Sequence, residues 1–277
     1  MNVEALPYTL LLILAELAIG SLWVTLASDL RGGVTRGFVL TMALCIAAVG
    51  GLAYWLALSL EMGADVDGYP IDPAWWSEAR AALLAVFVAS FAYAVGVFMG
   101  WDPVGRVAAI GGSAAGLGAV AMLADMLAPP AWGYPAVFLA LFAGALVTGA
   151  VSTAMVWGHW YLTEGALPAW PLKELSQWLL AALALQSVVF LVNAVVPVRV
   201  VPTPAQPVDV GLLGNPAFYF RVGVGLVFPI ILGILSLQTA RIRAMQSATG
   251  LLYIAMGAVF AGEVLAKGLM FMTGRPL

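Results

Sequence analysis

Eight long runs of apolar residues, separated by short segments that are polar or rich in Pro and Gly, follow one another along the chain. Each run is long enough for a helix to cross the roughly 30 Å hydrocarbon layer of a bilayer. Strands with open edges would leave backbone groups unpaired in lipid, so we predict helices. The predicted spans are residues 6–27, 38–60, 81–100, 107–127, 136–158, 175–196, 222–239 and 250–273.

The composition supports a membrane protein. Hydrophobic residues make up 63% of the chain, charged residues only 9%, and the mean hydropathy is +1.03, whereas about a quarter of a soluble domain is charged. We therefore predict an all-α, polytopic transmembrane bundle that forms one integral membrane domain over residues 1–277. The first residues lack the basic cluster of a cleavable signal, so span 1 is expected to be retained.

The distribution of Lys and Arg between the loops predicts the orientation. The loops after spans 1, 3, 5 and 7 hold Arg31, Arg36, Arg106, Lys173, Arg241 and Arg243. The other side holds Arg80, Arg199, Arg221 and Arg275, and its loop after span 2 is acidic. Because basic loops stay in the cytoplasm, we expect both termini outside, in the inner (plasma) membrane of a bacterium, with the lipid bilayer as a partner.

Three ionisable residues fall within the predicted spans. Glu16 is near the middle of span 1, and Glu263 and Lys267 are four residues apart on one face of span 8. A charge at the bilayer centre costs about 2.5–3.5 kcal/mol even on the lenient scale, so each should face the bundle interior and find a partner. A proton path, an ion site, a quinone headgroup pocket and a purely structural clamp all remain open. Gln186 and Asn193, seven residues apart in span 6, can line a polar seam.

A second cluster lies at the inner end of span 5, where His159, Trp160, Tyr161 and Glu164 are close together in the sequence. These residues suit a polar or quinone-headgroup pocket at the interface. Simple interfacial anchoring is the alternative, because Trp and Tyr favour that level of the membrane.

The counts of His and Cys exclude several kinds of site. His159 is the only histidine, which excludes a haem with two histidine ligands from this chain, and Cys45, the only cysteine, excludes an internal disulfide. We expect no metal site, and the net charge of −3 gives no indication of a nucleic-acid partner.

Two segments resemble a known group of membrane proteins. The opening Pro7-Tyr-Thr-Leu-Leu-Leu-Ile-Leu-Ala-Glu-Leu-Ala-Ile-Gly20 and the closing Gly262-Glu-Val-Leu-Ala-Lys-Gly-Leu-Met-Phe271 with Gly274-Arg-Pro276 resemble eight-helix anchor subunits of the dimethyl-sulfoxide-reductase and polysulfide-reductase type. That resemblance implies a subunit that holds no haem, binds menaquinone and exchanges electrons with a peripheral iron–sulfur partner. Residues 158–162 and 246–253 also resemble bacterial polytopic membrane proteins of no assigned function. Neither resemblance assigns a catalytic residue.

Taken with the resemblance, these features predict a non-catalytic membrane subunit of a respiratory or related redox complex. It would have no covalently bound cofactor, would contact quinone and would assemble with other membrane or peripheral redox subunits. A small proton-coupled transporter with a Glu/Lys site at the midplane is a second class, and a structural or assembly protein a third. Carriers often have repeated halves and broken helices, and the sequence displays neither clearly.

Prolines predict two local features. Pro229 is expected to kink span 7, and residues 197–216 are expected to form an extended outer loop.

Overall fold

Eight helical segments long and apolar enough to cross a membrane make up the protein, as predicted. The computed structural model describes residues 3–164, 167–202 and 212–277. Its helices are α1 (Leu6–Arg31), α2 (Arg36–Ser59), α3 (Trp76–Met99), α4 (Asp102–Met126), α5 (Tyr134–Glu164), α6 (Trp170–Val195), α7 (Pro216–Val222), α8 (Phe228–Arg241) and α9 (Met245–Thr273), and α7 with α8 forms the seventh span. Each predicted span lies inside its helix or ends within one residue of it.

Local sequence signals set several helix ends. The side chains of Thr35 and Asn215 accept hydrogen bonds from the backbone N–H groups of Phe38 and Ala217, and so cap the first turns of α2 and α7. Gly100 and Gly274 end α3 and α9 in the left-handed conformation, which glycine adopts without a steric cost. The observed helices begin up to six residues before the predicted apolar runs, because capping and polar first turns extend beyond the hydrophobic stretch.

The helices form two four-helix bundles with the same pattern of neighbours. In the first, α1 packs on α2, α2 on α3, α3 on α4, and α4 returns to α1. In the second, α5 packs on α6, α6 on α8, α8 on α9, and α9 returns to α5. The bundles meet mainly through α1 and α5, whose apolar windows are 72% buried, against 39–44% for the other six spans. The fold therefore has two similarly arranged halves, which the sequence does not display.

Small residues allow the two bundles to approach closely. Gly20 of α1 lies against the backbone of Ala145 and Gly149 on α5, so close that a Cβ atom at Gly20 or Gly149 would collide with the facing helix. Within the first bundle, a Cβ at Gly116 of α4 would lie 2.8 Å from Ile19 on α1. Glycine at such positions lets helix backbones pack with few side-chain atoms between them.

The seventh span is interrupted. Between α7 and α8, Gly223–Val227 forms a π-helical turn, in which the N–H of Phe228 donates to the carbonyl oxygen of Gly223. Pro229 follows directly and has no N–H to offer the ladder. The predicted distortion of this span therefore takes the form of a π-helical turn beside Pro229, a feature that is frequent at functional sites.

The start of α1 and the end of α9 lie on one face, because the number of spans between these two points is even. We name this the terminal face and the other the opposite face. The acidic segment after α2 folds on the terminal face as a hairpin, β1 (Asp65–Val66) and β2 (Tyr69–Pro70), with a turn at Asp67 and Gly68, both at positive φ. Tyr69 is fully buried beneath it and donates a 2.6 Å hydrogen bond to the carbonyl oxygen of Leu127. Much of the predicted outer loop, including Pro204 and Pro207, lies outside the described residues.

Candidate functional site

Four charged side chains meet inside the protein and form an alternating chain of acids and bases. Lys267 Nζ lies 2.5 Å from Glu16 Oε1 and 3.0 Å from Glu263 Oε2. Arg221 Nη1 lies 3.5 Å from Glu263 Oε1. We name Glu16, Lys267, Glu263 and Arg221 the charge quartet; each side chain is at most 5% exposed. The predicted intramembrane residues Glu16, Glu263 and Lys267 therefore share one site.

Arg221 is the member that the apolar pattern alone misplaces. The sequence predicts it in an outer loop, just before span 7, and this prediction is wrong. It lies in the second turn of α7, is 1% exposed and points to Glu263. The dipeptide Asn215–Pro216 is a typical helix start, an N-cap followed by proline, and reveals the correct boundary. Without Arg221, three basic residues remain on the terminal face, so the charge bias between the two faces increases.

The quartet draws on both bundles and lies deep in the membrane. Glu16 comes from α1 of the first bundle, and the other three members come from α7 and α9 of the second. Glu16 and Glu263 each lie ten residues from the terminal-face end of their helix. At 1.5 Å per residue this depth is about 15 Å, half the thickness of the hydrocarbon layer.

Glycines make room for these charges. A Cβ at Gly144 of α5 would lie 2.7 Å from Glu16 Oε1, so the carboxylate occupies space that a side chain would otherwise fill. Gly225, in the π-helical turn, and Gly262 of α9 face each other so closely that a Cβ on either would collide with the other residue or approach Arg221 to 3.0 Å. The interruption of span 7 therefore lies where the guanidinium of Arg221 reaches α9.

Gln186 completes the surroundings of Glu263. Its Nε2 donates a 2.6 Å hydrogen bond to Glu263 Oε1, while its Oε1 has no hydrogen-bond partner among the described residues. Glu16 Oε2 and Arg221 Nε are likewise buried without a partner in the same part of the chain. Beside them is a cavity of about 10 Å³, whose lining includes Gln186, Arg221, Glu263 and Lys267. That volume is about what one water molecule needs.

The charge balance of the quartet determines its chemistry. Two carboxylates and two cations sum to zero when all are ionised, which lowers the cost of burying them. If Glu16 takes up a proton, Lys267 still has Glu263 as a partner. If Glu263 takes up a proton, Arg221 has no carboxylate within ion-pair distance among the described residues. Glu16 is therefore the member whose charge the site can most readily lose and regain.

The second predicted cluster lies at the opposite face, at the end of α5, away from the quartet. His159 is exposed, and its Nδ1 lies 3.0 Å from the hydroxyl of Tyr253 on α9. Trp160 and Glu164 instead lie along Gly37 of α2, and Tyr161 is half-buried. Trp160 and Glu164 thus share a neighbour on α2 while His159 contacts α9, and the prediction of a headgroup pocket shared by all four stays a prediction. Within the described ranges, no three His, Cys, Asp or Glu side chains gather in a way that could hold a metal ion.

No protein-family model, curated protein or solved structure matches the chain. The resemblance to eight-helix anchor subunits, with the haem-free quinone site and the redox partners that it implies, therefore stays a prediction. On its fold and its site, the chain is a multi-pass membrane protein with eight spans and a buried, balanced charge site at the junction of its two bundles.

Proposed function

We propose that the protein is a small proton-coupled transporter, in which Glu16 takes up and releases the transported proton. The observation that carries this proposal is the Glu16–Lys267 pair, which joins the two bundles deep in the membrane and leaves Glu16 Oε2 without a partner among the described residues. Ionisable residues at this depth are costly and commonly mark ion or proton pathways.

The space around the quartet favours a proton as the coupling species. The adjacent cavity has a volume of about 10 Å³ and accommodates one water molecule rather than an organic solute. Lys267 lines this cavity and contacts Glu16. It can pass a proton from Nζ to the Glu16 carboxylate and take up another that the cavity water relays from bulk solvent, so that no hydroxide is left in the protein. Glu263 and Arg221 would remain charged and hold Lys267 in place.

The architecture supports the same proposal. Many secondary transporters are built from repeated halves and place the coupling-ion site near the midplane, next to an interrupted helix. Here two bundles share one pattern of neighbours, the quartet draws on both, and the π-helical turn of span 7 lies beside Arg221. Repeated halves and an interrupted helix are the two carrier features that the sequence does not display clearly.

Proton uptake by proteoliposomes would test the proposal. With an imposed membrane potential and an enclosed pH-sensitive dye, Glu16→Gln should abolish uptake, whereas Glu16→Asp should slow it. Glu174→Gln, which removes a carboxylate from the ion pair with Arg31 at the opposite face, is the matched control and should leave uptake unchanged. Wild-type uptake in Glu16→Gln would refute the proposal.

An infrared measurement tests the same site without requiring transport. Lowering the pH should produce the C=O stretching band of a buried protonated carboxyl group in the wild type. Glu16→Gln should lack this band, and Glu263→Gln should retain it. A band that disappears only in Glu263→Gln would move the proton to Glu263 and contradict the assignment.

The second candidate is a redox-complex subunit that contacts quinone at the opposite face. The observation that favours it is the exposed pair of His159 Nδ1 and the Tyr253 hydroxyl, 3.0 Å apart, which can offer a hydrogen bond to a quinone carbonyl. His159→Ala should weaken binding of a short-chain menaquinone by about tenfold, as expected for one lost hydrogen bond. Tyr219→Phe, at an exposed residue on the terminal face, is the control. Equal affinity in all three proteins would leave His159 as an interfacial residue.

A further inference from the structure

The residues that follow α9 fold back over the charge quartet. We name residues 274–277 the C-terminal segment. Gly274 turns the chain with a φ of 73°, and its N–H donates to the carbonyl oxygen of Met270. Beyond this turn, Pro276 and Leu277 are buried. The segment therefore points back into the protein rather than into the solvent at the terminal face.

The C-terminal segment and the quartet line the same cavity. Pro276 and Leu277 form part of its wall, together with Lys267, Glu263 and Gln186. Lys267 and Gly274 are seven residues apart along α9, which corresponds to about 10 Å in a helix. In this arrangement the C-terminal segment separates the water-sized cavity from the terminal face.

Three kinds of contact hold the segment in place. Arg275 Nη1 lies 2.7–2.9 Å from the carbonyl oxygens of Asn193, Ala194 and Val196, at the end of α6. Asn193 Nδ2 in turn donates a 2.6 Å hydrogen bond to the carbonyl oxygen of Pro276. The side chain of Leu277 is 5% exposed and packs in a small apolar cluster with Phe190, Leu226 and Leu269.

We propose that the C-terminal segment is a reversible closure that controls the access of water from the terminal face to the quartet. This inference rests on the proposed proton function for its purpose, although not for its structural test. The Arg275 side chain, the hydrogen bond from Asn193 to Pro276 and the apolar contact of Leu277 hold the segment, and a glycine hinge precedes all three. Such short segments open at a lower free energy than the helices on which they rest.

In the closed state, the cavity admits one water and no continuous file of water molecules. Opening removes Pro276 and Leu277 from the cavity wall and exposes Lys267 and Glu263 to the terminal side. A proton can then reach Lys267 from bulk water, and closing the segment isolates the site again. Alternating access to one side at a time requires such a barrier.

Cysteine labelling would test the closure. In a Cys45→Ser background, Ala266→Cys places a thiol on the cavity wall, where Ala266 is 2% exposed. A hydrophilic thiol reagent, applied to the intact protein in detergent, should label it slowly. Adding Leu277→Ala or Arg275→Gln should raise the rate by about tenfold, because the rate follows the fraction of molecules that are open.

Two control positions distinguish opening from general loosening. Ser176→Cys introduces a thiol of similar shape at a fully buried site between α6 and α8, and it should stay unreactive in every background. Ala64→Cys, on the exposed segment before β1, should label rapidly in every background. An unchanged rate at Ala266→Cys, or equal acceleration at Ser176→Cys, would overturn the closure.

Proton uptake separates this inference from the proposed function. If Leu277→Ala accelerates labelling while the wild type shows no Glu16-dependent uptake, the closure stands and the proton function fails. If uptake depends on Glu16 but neither substitution changes labelling, the function stands and the closure fails. When both hold, Leu277→Ala should also increase the background leak of protons through the protein.

Discussion

Glu16 and Lys267 form a 2.5 Å ion pair between the first and the last membrane helix of the chain. Lys267 is also the only cation within ion-pair distance of Glu16 among the described residues, whereas Glu263 has both Lys267 and Arg221. The two carboxylates therefore depend on Lys267 to different degrees. This asymmetry can be tested by measuring the stability of variants that lack Lys267, Glu16 or both.

Removal of Lys267 should be worse than removal of Lys267 and Glu16 together. Lys267→Met strands a buried carboxylate and should destabilise the protein by about 3–5 kcal/mol, whereas adding Glu16→Gln should recover part of that loss. Unfolding in a graded series of detergent mixtures would measure both variants. The pair Arg31–Glu174 at the opposite face, whose arginine side chain is 60% exposed, is the control, and its double-mutant cycle should show a coupling of no more than about 1 kcal/mol. Strictly additive losses at Glu16 and Lys267 would show that the two do not interact.

Gly262→Ala should be destabilising, and Gly257→Ala on the same helix should not be. A Cβ at Gly262 would collide with Gly225 and approach Arg221 Nη1 to 3.0 Å, while nothing lies within 4 Å of a Cβ at Gly257. Overpacking of this kind costs about 1–3 kcal/mol, whereas replacement of an unhindered helical glycine by alanine gains about 0.5–1 kcal/mol. Melting temperatures of the two purified variants give the comparison. Equal stability would mean that the π-helical turn of span 7 and α9 are not in close contact.

Tyr69 should contribute less to stability at alkaline pH. Burial raises the pKa of Tyr69 above the ordinary value of 10.0, so the folded protein keeps the phenol neutral when the unfolded chain ionises it. Below pH 10, Tyr69→Phe should cost about 1 kcal/mol through its lost hydrogen bond to Leu127. As the pH rises above 10, the wild type loses stability and the difference between the two proteins should shrink. A constant difference in melting temperature between pH 7 and pH 11 would contradict this.

The predicted orientation can be tested at two positions that the structure shows to be exposed. In a Cys45→Ser background, Ala64→Cys lies on the terminal face and Ser247→Cys at the start of α9 on the opposite face. With both termini outside, an impermeant reagent should label Ala64→Cys on intact cells and should reach Ser247→Cys only after permeabilisation. The reverse pattern would invert the orientation.

The apolar pattern predicts the eight spans because a membrane helix must be hydrophobic along its whole length, and this requirement is local. Helical spacing likewise predicts that Glu263 and Lys267 share a face. Whether Glu16 reaches Lys267 depends on how α1, α5 and α9 pack against one another. This packing is determined by glycines such as Gly20 and Gly149, which do not recur at a regular spacing that could be recognised in the sequence. Arg221 is missed for a different reason, since hydropathy marks the apolar run and not the helix, which begins six residues earlier at Pro216.

The pairing of Glu16 with Lys267 also imposes an order on biosynthesis. During synthesis Glu16 enters the bilayer with the first helix, while its partner is added only with the last. Until α9 arrives, the carboxylate must stay protonated, remain near water or be shielded by the insertion machinery, since burial alone costs about 2.5–3.5 kcal/mol. The ion pair can therefore form only when the eighth span is complete. A chain truncated before α9 would carry an unpaired acid in its first helix, a defect that membrane quality control can recognise.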